Sequence, residues 1–92
     1  MRHTPRYTNQ VLKDIKKFPD NLKRKLEKTI KSLADDPFIG KPLMGTLSGK
    51  WSYRIGDFRI TYEIRGKELI ILFLMIGPRQ DIYKRLLRFL EG

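Results

Sequence analysis

The chain has no cysteine and a single histidine, His3, among its 92 residues. Without cysteine, disulfide frameworks and thiolate metal sites are excluded. One imidazole near a fraying N-terminus builds neither a zinc site nor a Ser-His-Asp relay. Long apolar runs are missing too. The longest, LIILFLMI at residues 69–76, is eight residues, far short of the ~20 that a membrane span requires. The opening MRHTPRYTNQ carries no apolar stretch of the secretory kind. The expectation is a soluble, cytoplasmic protein with no membrane partner. Nor is there a glycine-rich phosphate loop, a pair of catalytic carboxylates or a cluster of metal ligands. No metal and no cofactor are implied.

Acidic residues are in short supply: 10 Asp+Glu face 20 Lys+Arg, for a formal net charge of +10. Self-repulsion of that size opposes compaction and points to an acidic or phosphate-bearing partner. Hydrophobic residues make up 40% of the chain, enough for a folded protein. Residues 1–92 are expected to form one domain around a modest core.

Residues 2–8 could form a short strand, and Pro5 restricts it to a sheet edge. Thr8 or Asn9 can cap a helix carrying Val11, Leu12, Ile15 and Phe18, which Pro19 ends. Asp20 or Asn21 caps a second helix with an apolar stripe of Leu22, Leu26, Ile30 and Leu33. Lys23, Arg24, Lys25, Lys28 and Lys31 cover its other faces, and DDP at 35–37 stops it. Such a lysine run is ordinarily a solvated face, though it also attracts nucleic-acid phosphates at long range.

Residues 38–50 read as a loop punctuated by glycine and proline. The period then changes to two. Trp51, Tyr53 and Ile55 share a face that Phe58, Ile60, Tyr62 and Ile64 continue. Lys50, Ser52 and Arg54 share the other face with Arg59, Thr61 and Glu63. Gly66-Lys67 turns the chain into the apolar strand 69–76, which should be interior and buried on both faces. Gly77-Pro78 breaks it, and a final amphipathic helix covers roughly 80–90 with Ile82, Leu86 and Leu90. The predicted fold is α+β: an N-terminal helical hairpin on a mainly antiparallel sheet of three to four strands, with a C-terminal helix.

If Gly56-Asp57 is a two-residue turn, Arg54 falls directly opposite Arg59. Like charges so placed are destabilising. One explanation is a solvated face with splayed side chains, which costs only a few tenths of a kcal/mol. The other is a phosphate fork, because planar guanidinium groups grip phosphate oxygens in pairs. In the simple meander register Arg59 lies opposite Leu74. That brings Arg79, in GPRQDIY at 77–83, near both arginines, with Tyr83 one helical turn beyond it. Tyr83 alone could equally be a core residue. Together, three arginines and a phenol suit one reaction, attack of an RNA 2′-hydroxyl on its own neighbouring phosphate. The substrate then carries the nucleophile, and the protein need only align it, stabilise charge and move protons. Surrounding positive charge favours the phenolate form, so Tyr83 is the candidate general base.

YRIGDFRITYE at 53–63 and GPRQDIY at 77–83, in this order and spacing, resemble the RelE/ParE superfamily of toxin–antitoxin modules. The likeness is nearest the RelE branch of mRNA interferases and covers nearly the whole chain. The resemblance implies a RelE-like fold and an RNase that cuts mRNA in the ribosomal A site without metal. Arg59 matches the arginine that binds the scissile phosphate, Arg79 the arginine after the central strand, and Tyr83 the C-terminal catalytic tyrosine. Arg54 stands where a basic residue of the preceding strand assists. Lys41, Lys50 and Ser52 are the further RNA-binding candidates. Ser52 takes a place where some relatives have lysine, and Pro78 one where many have histidine. The implied partners are an acidic, RelB-like antitoxin, mRNA and ribosomal RNA. Two other readings stay open: a ParE-like inhibitor of DNA gyrase, and a basic RNA-binding module without turnover.

Overall fold

In a computed structural model, residues 2–92 are described. The order is β1 (Thr4–Tyr7), α1 (Asn9–Lys17), α2 (Lys23–Asp35), β2 (Lys41–Pro42), β3 (Lys50–Ile55), β4 (Phe58–Arg65), β5 (Ile70–Pro78) and α3 (Ile82–Leu90). Short 3-10 turns link several of them. The five strands form one sheet in the order β1-β5-β4-β3-β2, with β1 and β5 parallel and the other pairs antiparallel. The α+β architecture matches expectation, while the sheet is larger than predicted. Its extra member is β2, two residues inside the presumed 38–50 loop that pair with Trp51 and Ser52.

Two apolar layers sandwich the sheet. On one side Val11, Phe18, Leu26 and Leu33 of the hairpin pack on Ile55, Ile60, Tyr62, Ile71, Phe73 and Ile76. On the other, Ile82 and Leu86 of α3 join Leu43 and Leu47 over Leu74 and Met75. Each such aliphatic or aromatic side chain contributes roughly 1.5–3 kcal/mol through burial. β5 is thus buried on both faces, as its unbroken apolar run implies. It is nonetheless one residue shifted and longer than the expected 69–76, because Gly77 and Pro78 still pair with Arg59 and Phe58. Pro78 ends the strand without breaking the ladder. Leu12 and Leu90, placed on apolar stripes by spacing, are exposed. His3 is buried and anchored, its N–H donating to Ala34 O at 2.6 Å, so the N-terminus does not fray there.

The β3–β4 register agrees with the sequence-based one, including Arg54 opposite Arg59. Gly56 has φ +60° at the first central position of the turn and Asp57 has no positive φ, the II′ pattern that suits a two-residue hairpin. The β4–β5 register does not agree. Arg59 lies opposite Gly77, three residues beyond Leu74. Two residues of that offset come from the turn, where a 3-10 segment at Gly66–Glu68 and a left-handed Leu69 replace a two-residue reversal. The third comes from a bulge, since Thr61 pairs with Met75 and Tyr62 with Phe73, leaving Leu74 unmatched.

β1 covers the edge of β5 only as far as Phe73. Beyond it, α1 takes over. Thr8 N–H donates to Phe73 O at 3.1 Å, and the Thr8 hydroxyl donates to Leu74 O at 2.7 Å. The same hydroxyl accepts from Val11 N–H at 3.0 Å, so one oxygen caps the helix and helps close the sheet edge. Ile76 N–H then donates to Asp14 Oδ2 at 3.0 Å.

Candidate functional site

Strand alternation puts Lys50, Ser52 and Arg54 on the α3 side of the sheet, and the register puts Glu63, Thr61 and Arg59 directly opposite them. α3 and the 43–47 segment cover the middle of this face. Ser52 and Thr61 are consequently buried, at 1% and 0% exposure, while the two ends of the face stay open. The open end nearest the 56–57 turn holds the arginines.

There the two guanidinium groups of the cross-strand pair diverge. Arg54 is exposed and turns back on its own hairpin, Nε donating to Gly56 O at 3.0 Å. Arg59 is half-buried, and its Nε is enclosed without a hydrogen-bond partner. Arg79 follows β5 directly. Its N–H donates to Asp57 O at 2.9 Å, which ties its backbone to the same turn, and its side chain is exposed beside a hollow formed with Asp57, Pro78 and Gln80.

Tyr83 sits in the first turn of α3, which begins at Ile82 rather than near 80. Its ring packs on the α3-side core and its hydroxyl shares a 3.0 Å hydrogen bond with Ser52 Oγ. Ser52 and Thr61 are two residues along their strands from Arg54 and Arg59. That spacing is roughly 7 Å, so the phenol lies on the same face as Arg54 and Arg59, one step in from the open end. Ser52 itself was an RNA-contact candidate. Being buried, it meets the tyrosine rather than solvent, and its place is to hold the phenol.

The two lysine candidates differ. Lys41 is exposed on β2 directly opposite Ser52, flanking the phenol. Lys50 lies on the far side of Ser52 from the arginines, and its ammonium is 2.9 Å from Glu63 Oε1, with both side chains about one-fifth exposed. Arg65 Nη2 lies 3.4 Å from the other oxygen of Glu63, so Lys50 belongs to an ion-paired cluster rather than standing free.

Arg85 and Asp14 escaped the sequence reading. A Cβ at Gly77 would fall 2.5 Å from Arg85 Nη1, so this guanidinium lies against the glycine that faces Arg59. Arg85 Nη2 is 3.6 Å from Asp14 Oδ1, whose carboxylate also accepts from Gln10 Nε2 at 2.9 Å and from Ile76 N–H. The one available signal was the position of Asp14, an acid between Val11 and Phe18 on an apolar stripe.

The model of the family described as the ParE toxin of type II toxin–antitoxin systems, parDE, matches residues 6–83. The chain is 33% identical over 87 residues to toxin RelG of Mycobacterium tuberculosis, covering 92% of this chain and 100% of that one. The fold superposes on the RelBE2 toxin–antitoxin complex of M. tuberculosis with a TM-score of 0.79 at 28% identity, covering 88% of this chain and 95% of the other. For the archaeal RelE–RelB complex of Pyrococcus horikoshii the TM-score is 0.70 at 26% identity, over 86% and 97% of the two chains. The chain therefore belongs to the RelE/ParE family of toxins from type II toxin–antitoxin systems.

Proposed function

We propose that this toxin is a ribosome-dependent mRNA endonuclease that arrests translation. The observation that supports the reading is that the backbones of Arg54, Arg59 and Arg79 all meet the 56–57 turn, with the Tyr83 hydroxyl on the Arg54–Arg59 face at Ser52. The substrate 2′-oxygen attacks its adjacent phosphorus and the bond to the 5′-oxygen breaks. A 2′,3′-cyclic phosphate and a free 5′-hydroxyl result. Tyr83 takes the 2′-hydroxyl proton, and solvent protonates the departing oxygen. Arg59 and Arg79 neutralise the oxygens of the pentacovalent phosphorus, where preorganised donors act most strongly. The nucleophile belongs to the substrate, so the scheme requires no metal and no cofactor. Lys41 adds backbone attraction to mRNA or ribosomal RNA.

The natural restraint on such a toxin is an acidic, RelB-like antitoxin. The solved relatives from M. tuberculosis and P. horikoshii are toxin–antitoxin complexes, and a net charge of +10 favours rapid association with an acidic partner. Ribosomes as target make the cytoplasm the place of action.

One observation favours a second reading, inhibition of DNA gyrase. The matching family model is described by its ParE member. Two assays separate them. Programmed ribosomes with purified toxin should yield cut mRNA that Arg59→Ala and Tyr83→Phe lose, while gyrase supercoiling proceeds unhindered. Blocked supercoiling with intact mRNA would replace the nuclease reading.

A further inference from the structure

A second hollow of about 230 Å³ lies beside the candidate site, between α1, α3 and the end of β5. Gln10, Asp14 and Lys17 line it from one face of α1, and Arg85 lines it from α3. It adjoins the Asp57–Arg79 hollow, because Pro78 is a wall of both. Gly77, also in its lining, is the residue directly opposite Arg59. Paired backbones in an antiparallel ladder are about 5 Å apart, so one strand, β5, separates the hollow from the backbone of Arg59.

Its electrostatics are positive and prearranged. Asp14 is largely enclosed: its side chain is 9% exposed, it accepts from Gln10 Nε2 and Ile76 N–H, and it forms an ion pair with Arg85 at 3.6 Å. Asp14 therefore attracts the Arg85 guanidinium to this wall of the hollow without a hydrogen bond. The bare α-carbon of Gly77 lets the group lie close to the sheet. The Arg85 side chain remains 35% exposed, which leaves donors for a ligand. Lys17, exposed at the C-terminal end of α1, makes no ion pair among the described residues. Two cations against one carboxylate leave the hollow with a net positive charge, and Pro78 alone separates it from the hollow beside Arg79.

We infer that Lys17 and Arg85 form a subsite for a second phosphate of the same RNA strand, next to the cleaved one, reached across Pro78. This rests on the nuclease reading, which it extends to the length of strand the protein grips. A single-stranded polyanion neutralised at one more phosphate has a steeper salt dependence, by about 0.7 in the logarithmic slope.

The test uses the full chain and a short oligoribonucleotide with a 2′-deoxy unit at the cleaved position, so that it binds without turnover. Lys17→Gln should weaken binding about three- to tenfold and lower the salt slope by about 0.7. A neutral methylphosphonate at the neighbouring linkage should weaken the parent protein equally and have no further effect on the variant. Arg85→Lys, which keeps charge but not the planar fork, should fall between parent and Arg85→Gln. Should the Arg85 variants fail to fold, Lys17→Gln and the methylphosphonate decide the matter alone. Unchanged affinity and slope, or additive losses, would overturn the subsite. In the ribosome assay the same Lys17→Gln change should raise KM, and an effect on kcat alone would instead assign these cations to the reacting phosphate. If the parent protein cuts no mRNA on ribosomes, the nuclease reading fails, whatever the oligonucleotide measurements give.

Discussion

Replacing Asp14 by alanine should cost the fold about 2–4 kcal/mol. The carboxylate is the acceptor for Ile76 N–H, on the part of β5 that β1 does not reach. Hydrogen bonds to charged groups contribute about 1.5–3 kcal/mol, and a buried N–H left without a partner forfeits that contribution fully. The Arg85 pair adds little, because the separation is 3.6 Å and Arg85 is one-third exposed. Pairs of that kind contribute about 0–1 kcal/mol. Asp14→Asn separates the two effects, since an amide oxygen can still accept from Ile76. It should cost only about 1 kcal/mol. Urea unfolding measures both variants, and the alanine change should lower Tm by about 10 °C or more for a chain of this size. Amide exchange at Ile76 should accelerate in Asp14→Ala and stay slow in Asp14→Asn. Equal losses from both substitutions, or a loss below about 0.5 kcal/mol from alanine, would refute the edge-sealing role.

The remaining predictions concern the site and its supports. Gly77→Ala would set a methyl group 2.5 Å from Arg85 Nη1 and 2.9 Å from Ile82 Cδ1. It should displace the Arg85 guanidinium at a cost under about 1 kcal/mol, because both atoms are far ends of flexible side chains that can swing aside; a loss above about 2 kcal/mol would show that they cannot. Ser52→Ala removes the only polar contact of the Tyr83 hydroxyl recorded among the described residues. It should lower kcat more than it alters stability, which falls by about 0.5–1.5 kcal/mol; an unchanged kcat would mean that the phenol needs no such orientation. Arg59→Ala should cost about 3–4 kcal/mol of barrier, the scale of one lost charge-stabilising donor, read as single-turnover cleavage by a variant with parental circular dichroism. Burial raises the Tyr62 phenol well above its ordinary value of 10.0, and its hydroxyl donates to Pro37 O at 2.7 Å. The folded chain thus keeps a proton that the unfolded chain releases near pH 10. Stability from this group is complete below pH 10 and declines above it, by up to about 1.4 kcal/mol per pH unit. Alkaline melts of Tyr62→Phe beside the parent check this, and identical slopes would contradict it.

How far the sequence reaches is set by how local each determinant is. The Arg54–Arg59 pairing was legible because a two-residue turn at Gly56-Asp57 and period-two alternation determine it together. The Arg59–Gly77 pairing was not, because it depends on a left-handed Leu69 and on a bulge at Leu74 within an unbroken apolar run. Alternation put Ser52 opposite the apolar face, yet it could not tell that α3 would close over it. The place of Asp14 on the apolar stripe of α1 hinted at burial, but its partner Ile76 lies 62 residues away and no local pattern names it. The same local register places Lys50 opposite Glu63, so that ion pair was as legible as the arginine pair.

The central claim is that the arginine end of this sheet cuts mRNA on ribosomes. Mapping of mRNA 5′ ends after induced expression, beside an Arg59→Ala control, addresses it most directly. New 5′-hydroxyl ends clustered within translated codons, and lost in the control, are the predicted result. Arrested growth with no such ends, or the same ends with Arg59→Ala, would contradict it.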